Sequence, residues 1–315
     1  MRAFLVSEKH DGRRLDRWIA SELPLLPRAL MQKYLRQKKF TRDGIALSCD
    51  VRLAKGDRIE ADIPEEFFEK PAPRDALLES FRPHLRVLYE DANVLLADKQ
   101  PGLIAHPDRE EKVNTLLTHV RAYLYQKGEY DPDFKPVLCN RIDRFTGGIV
   151  IAAKNAVALR DMNILIRERL IDKRYLAVIH GAMNPPEGVL DSYILQRQGM
   201  RRVLVRHAPE EGAKRAVTEY TTLWTRNGLS LVDCLLRTGR THQIRAQFAD
   251  AGHPLLGDTQ YGDPKDEAQF GRGYQALYAY GLDFAFEPYG GALDALSGLS
   301  VRVPLPFAPY YYMPR

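Results

Sequence analysis

Asn140-Arg141-Ile142-Asp143-Arg144-Phe145-Thr146-Gly147-Gly148 runs directly into the apolar stretch Ile149-Val150-Ile151-Ala152-Ala153. A polar loop that ends on Gly-Gly and enters a short β-branched run predicts a strand with chemistry at its mouth. Asp143 sits there between two arginines. On the residues alone two readings stay open: a structural ion pair with a neighbour, or a carboxylate kept ionised as a nucleophile or general base.

Around that strand, further β-like runs fall at residues 87–89, 94–97, 175–179 and 229–236. Helical periodicity interleaves them at 114–125, 156–169 and 241–251. Separate strands and helices in this mixture predict an α+β domain built on a sheet.

A second polar segment follows, Leu236-Arg237-Thr238-Gly239-Arg240-Thr241-His242-Gln243-Ile244-Arg245, and then Gly252-His253-Pro254-Leu255-Leu256-Gly257-Asp258. Thr238-Gly239 predicts a turn, and Thr241 or a residue before it predicts a helix cap. The guanidinium fork suits both a buried carboxylate and a substrate phosphate; the plainer reading is a solvent-facing helix start. His242, His253 and Asp258 match no compact metal spacing, and a polar cap role suits His242 better. No G-x-S-x-G elbow or phosphate-binding glycine loop occurs.

The whole chain narrows the classes further. It has 315 residues, a net charge of +5 and three cysteines with no C-x-x-C pair, so a zinc site or redox motif is not expected. Cys139 reads as an inert buried thiol. No apolar run is long enough for a membrane span, and Glu8-Lys9-His10 interrupts the N-terminus before a signal core forms, which predicts a cytoplasmic protein.

Lys33, Arg36, Lys38, Lys39 and Arg42 crowd one short stretch near the N-terminus. Helices are predicted over residues 12–23 and after Pro27, the second with Leu30, Met31, Tyr34 and Leu35 on one stripe and cations on the next. Short strands should follow near 45–47 and 58–63, and the proline-bearing residues 64–80 read as a linker. A basic face of this kind is either solvated or a contact for polyanions.

The order from Arg14-Leu15-Asp16-Arg17-Trp18 through Gln32-Lys33-Tyr34-Leu35-Arg36 to Lys55-Gly56-Asp57-Arg58-Ile59 resembles the S4 RNA-binding domain. The resemblance implies a small α+β module over residues 1–63, with RNA contacts from Arg28, Lys33, Arg36 and Lys39.

The Asp143 and Arg245 segments together, with Lys173-Arg174-Tyr175 between them and residues 252–262 after them, resemble the RluA family of RNA pseudouridine synthases. That resemblance implies a mixed, largely antiparallel sheet over residues 81–315 and isomerisation of uridine to pseudouridine in rRNA or tRNA, without cofactor or metal. It assigns Asp143 as the catalytic carboxylate, Tyr175 as the ring stacked on the target base and Arg245 as the partner of Asp143. Arg141, Arg240 and His242 would hold RNA, and Leu236 and Ile244 would wall the base pocket. Such a pocket offsets part of the cost of unstacking a base. Tyr175 as plain core packing is the alternative. RNA would be the partner of a monomer needing no other protein.

Three positions depart from the family pattern: Asn140 and Tyr278 stand where His is common, and Gly147 where Ser is common. Two other functions use the same residues. One is an RNA-binding assembly protein without turnover, and the other a glycosidase releasing uracil, for which no second carboxylate is evident. Whether Asp143 attacks C1′, attacks C6 or removes a sugar proton stays open.

Overall fold

The computed structural model describes residues 1–68, 75–131, 133–197, 199–262 and 275–304. Pro71 and Pro73 of the expected linker, and residues 305–315 of the expected catalytic domain, lie outside the described residues. The chain divides into two compact units, Met1–Ser80 and Phe81–Arg315.

The first unit places strand β1 (Arg2–Leu5), helices α1 (Leu15–Glu22) and α2 (Arg28–Arg36), and strands β2 (Phe40–Arg42), β3 (Ile45–Ala46) and β4 (Arg58–Ala61) in that order. The strands form an antiparallel sheet in the order β1-β4-β2-β3. Leu15, Trp18 and Ile19 from α1 and Met31 from α2 fill a core with Phe40, Leu53 and Ile59, the one-sided burial that helical spacing foretold.

Residues 64–68 and 75–80 are more than a linker. Glu65–Phe67 form a 3-10 turn, and Phe68 is buried beside Phe4 with ring centroids 5.9 Å apart. Helix α3 (Asp75–Ser80) completes the unit. The aromatic pair Phe67-Phe68 gives this acidic stretch a surface worth burying, and for that reason the N-terminal unit extends past residue 63.

The second unit runs β5 (Arg86–Glu90), β6 (Val94–Lys99), α4 (Leu116–Gln126), β7 (Val137–Leu138), β8 (Gly147–Ala153), α5 (Ala156–Arg167), β9 (Ile171–His180), β10 (Glu187–Leu195), β11 (Leu204–Arg206), β12 (Lys214–Arg226), β13 (Leu229–Leu236), α6 (Gln243–Asp250), β14 (Leu277–Phe284) and β15 (Ser300–Arg302). Among the described residues these strands form one eleven-stranded sheet with the path β11-β10-β12-β13-β9-β14-β8-β6-β5. β7 pairs with β8, and β15 with β14. One of its pairings, β14 with β8, is parallel. The α+β class with a mixed, largely antiparallel sheet is therefore the fold.

Alternation along the strands sorts side chains to two faces. Leu95, Val150, Ala177, Ile179 and Val232 point to the face covered by α4 and α6. Leu96, Ile149 and Ile151 point to the face covered by α5. Each large apolar side chain so buried contributes about 1.5–3 kcal/mol relative to exposure. No helix of the described residues is long and apolar enough to cross a membrane.

Candidate active site

Asp143 lies in the loop between β7 and β8, and three contacts fix that loop. Asn140 Oδ1 accepts the Ile151 N–H at 2.7 Å, tying the loop to β8. The Thr146 N–H donates to the Asp143 carbonyl at 3.1 Å, closing a turn around the carboxylate. From the end of β6, the fully buried Lys99 donates through Nζ to the carbonyls of Leu103 (2.7 Å), Arg144 (2.9 Å) and Gln100 (3.2 Å). Burial pushes the Lys99 ammonium down to about 7, against the opposing pull of Asp143 and Asp98.

The carboxylate does not pair with the arginines beside it in sequence. Arg144 turns to the Gly102 carbonyl at 3.3 Å and lies over the Phe145 ring. Arg245, from the first turn of α6, donates through Nη1 to Asp143 Oδ2 at 2.8 Å. Its other edge grips Asp258 in a fork, Nε to Oδ2 at 2.7 Å and Nη2 to Oδ1 at 2.9 Å, and Nη2 also reaches Gln260 Oε1 at 2.7 Å.

Burial opposes the charge on Asp258, but Arg245 and the N–H groups of Gln260 and Tyr261 outweigh it and hold the carboxyl below its usual range. Burial likewise works against the Arg245 cation, and its two carboxylates more than offset that. Asp143 keeps 27% side-chain exposure, and its Oδ1 accepts no hydrogen bond among the described residues. One oxygen is anchored while the other remains available.

These groups border a cavity of about 350 Å³. Every catalytic-unit residue to which the family resemblance gave a role lines it: Arg141, Asp143, Tyr175, Leu236, Arg240, His242, Ile244 and Arg245. Tyr175 reaches the wall because β9 alternates, sending Lys173 and Tyr175 to the α6 side and pairing them with Leu236 and Cys234 of β13. Burial, aided by the charge on Asp143, raises the Tyr175 phenol, so it stays protonated. Leu236, Ile244 and Leu277 supply apolar walls.

The chain bends at Arg237-Thr238 and turns at Thr241-His242 instead of at Thr238-Gly239, and Thr241 does not cap α6. His242 occupies the cap position in a left-handed conformation, φ 53°, with no side-chain cap bond. That turn sends the imidazole toward the site: Nδ1 meets the Tyr261 hydroxyl at 3.0 Å, and Nε2 stands 3.7 Å from Asp143 Oδ2. Burial lowers its pKa, favouring the neutral ring. Gln243, the first residue of α6, braces the approach to the helix: its Oε1 accepts the Arg240 N–H at 3.0 Å and the Thr238 hydroxyl at 2.8 Å. Arg237 of the same segment turns elsewhere and pairs with Glu219 and Asp172.

Burial pushes the Cys139 thiol on the cavity wall up to about 12, leaving it protonated and unsuited to attack. His253 is held at the His180 carbonyl, and among the described residues no three His, Cys, Asp or Glu side chains gather to hold a metal.

Lys99 and Gln260 were not identified from the sequence, and Lys173, Asp258 and Tyr261 stood there in matching segments without a structural role. A charged pair, Asp98-Lys99, closing the apolar run Val94-Leu95-Leu96-Ala97 is the signal that could have marked Lys99. In the N-terminal unit Arg28, Lys33 and Arg36 are exposed on α2, whereas Lys39 is ion-paired with Asp62.

The family model described as RNA pseudouridylate synthase matches residues 93–250, half of the chain. The chain is 30% identical over 278 residues to the uncharacterized RNA pseudouridine synthase YlyB of Bacillus subtilis, covering 88% of each protein. It is 30% identical over 293 residues to ribosomal large subunit pseudouridine synthase D of Nitrosomonas europaea, covering 91% of this chain and 81% of that one. Human RNA pseudouridylate synthase domain containing 1 shares the fold, with a TM-score of 0.56 at 21% identity over 77% of this chain and 89% of that one. The matched span carries Asp143, Tyr175 and Arg245 alike, and the chain belongs to the RNA pseudouridylate synthase family.

Proposed function

We propose that the protein draws a uridine out of an RNA strand into the Asp143 cavity and converts it to pseudouridine with Asp143 as the reacting carboxylate. The observation that carries this reading is the asymmetric tie of Asp143: Oδ2 is held by Arg245 at 2.8 Å, while the side chain stays part-exposed on a cavity wall shared with Tyr175. The C1′–N1 bond breaks, the uracil turns, C5 bonds to C1′, the C5 proton leaves and N1 takes one up. Attack on C1′, attack on C6 and removal of a sugar proton all require an ionised carboxylate with an accessible oxygen.

Tyr175 supplies a face for the base, and Leu236 and Ile244 exclude water around it. Hydrolysis is disfavoured. The second carboxylate, Asp258, is fully buried behind Arg245, where it cannot activate water.

Cations beyond the cavity suit the flanking strand. Arg240 also borders a cavity of about 300 Å³ with Arg167, Arg169 and Lys173, and another of about 680 Å³ with Arg197 and Lys214. Phosphate contacts of this kind position the RNA without reading its sequence. The S4-like unit adds Arg28, Lys33 and Arg36, with Lys39 available after leaving Asp62. Because one relative is named for the large ribosomal subunit, its RNA is the first substrate to test, followed by tRNA.

The test is to incubate both RNAs with the protein and with Asp143→Ala and map pseudouridine. New sites with the first protein and none with the second are expected. Equal product from both would remove Asp143 from the mechanism, and none from either would favour an RNA-binding protein without turnover.

A further inference from the structure

Two positions at which the sequence departs from the family pattern meet in space. Tyr278 on β14 pairs in parallel register with Gly147, the first residue of β8, and Ala279 pairs with Gly148. A Cβ on Gly147 would stand 2.7 Å from Cδ2 and 2.9 Å from Cζ of Tyr278, and closer still to Cε2. No side chain larger than hydrogen fits under that ring unless the ring moves.

The ring is not free to move. It is buried on the α5 face of the sheet, opposite the cavity, and its hydroxyl donates to Asp98 Oδ1 at 2.6 Å. Asp98 is itself buried, accepts Arg86 at 3.2 Å, and directly precedes Lys99, which holds the Arg144 carbonyl.

Gly148 adds a second constraint. Its φ of +119° suits glycine, and a Cβ there would stand 2.6 Å from the Ala279 backbone C and N and closer still to its carbonyl oxygen. Gln275, just before β14, donates to the Thr146 hydroxyl at 3.1 Å. The exit of the Asp143 turn is therefore clamped by β14 through Thr146, Gly147 and Gly148, while its middle is clamped through Lys99. Tyr278 joins both clamps, touching Gly147 with its ring and the Asp98-Lys99 end of β6 with its hydroxyl.

We propose that Tyr278 is a positioning residue for Asp143, acting from the back of the sheet, and that Gly147 and Tyr278 work as one matched pair. The ring sets the height of the Thr146–Gly148 backbone, and the hydroxyl fixes the ring. The proposal rests on the reading of Asp143 as the reacting carboxylate. Displacing a reacting group by an ångström costs roughly 100-fold in rate, whereas RNA binding outside the cavity is untouched.

The experiment measures kcat, KM and thermal unfolding of the full chain on one RNA for wild type, Tyr278→Phe, Gly147→Ala, Tyr278→Ala, the Gly147→Ala/Tyr278→Ala double variant and Asp143→Asn. Tyr278→Phe, which keeps the ring and removes the hydroxyl, is expected to lower kcat by about 10-fold with KM within about twofold. Gly147→Ala should lower kcat by about 100-fold in the Tyr278 background but by no more than about twofold once Tyr278 is alanine.

A Gly147→Ala loss of equal size in both backgrounds, or Tyr278→Phe at the wild-type kcat, overturns the proposal. If Gly147→Ala does not fold, Tyr278→Phe alone decides. Asp143→Asn separates the two readings: full activity there defeats the role of Asp143 itself, whereas an inactive Asp143→Asn beside a fully active Tyr278→Phe defeats only the positioning role.

Discussion

Arg245 serves two carboxylates with one guanidinium, and they are not equivalent. Asp258, fully buried and held by the fork, fixes where the guanidinium lies; Asp143, held by the remaining nitrogen, is fixed in turn. Arg245→Met strands Asp258 as a buried unpaired charge and should cost about 3–5 kcal/mol in urea unfolding, with wild-type stability as the contradicting result. Lys99 gives a pH test. Its folded pKa of about 7 lies below the ordinary 10.5, so the unfolded chain binds the extra proton between those values and stability rises with pH across that window. Compared with Lys99→Met, wild type should gain up to about 1.4 kcal/mol per pH unit from pH 7 upward; a constant difference would contradict it. The residues alone do not choose a partner for Asp143. Arg144 is adjacent and Arg245 is 102 residues away, and only the resemblance favoured the distant one. His242 was read as a cap, and its left-handed backbone, which no spacing reveals, turned it inward.

At the scale of elements, the site depends on how the β7–β8 loop and the start of α6 are tied to the sheet. Asn140→Ala leaves the Ile151 N–H without its side-chain acceptor, and a stability loss of about 1–3 kcal/mol with a lower kcat is expected. An unchanged urea midpoint and kcat would show that the loop holds its place without it. Strands with dense apolar runs, such as β6 and β8, were legible in the sequence. β12 was not, because its inward positions Ala216, Thr218 and Tyr220 alternate with Val217 and Glu219 and make no apolar block. β1 is four residues long and mostly exposed, and β14 is buried on consecutive positions, so neither carries the two-residue alternation that marks a strand in sequence.

For the whole molecule, the boundary at Phe81 is legible in the sequence, whereas the share of the preceding stretch in the N-terminal unit is not, because Phe67 and Phe68 lie among acidic residues and prolines whose composition marks a linker. The exposed cations of α2 are the test of the N-terminal unit. Replacing Arg28, Lys33 and Arg36 by alanine should weaken RNA affinity and flatten the dependence of log affinity on log salt by about 2, three phosphates at about 0.7 each for a single strand. An unchanged slope would mean that this face is only solvated. The central claim, that Asp143 performs the isomerisation, is tested most directly by release of tritium placed on C5 of uridine in large-subunit ribosomal RNA, since C5 must lose its hydrogen when it bonds to C1′. Stoichiometric release by wild type and none by Asp143→Asn, with equal RNA binding by both, is the predicted result, and release by Asp143→Asn at the wild-type rate would contradict it.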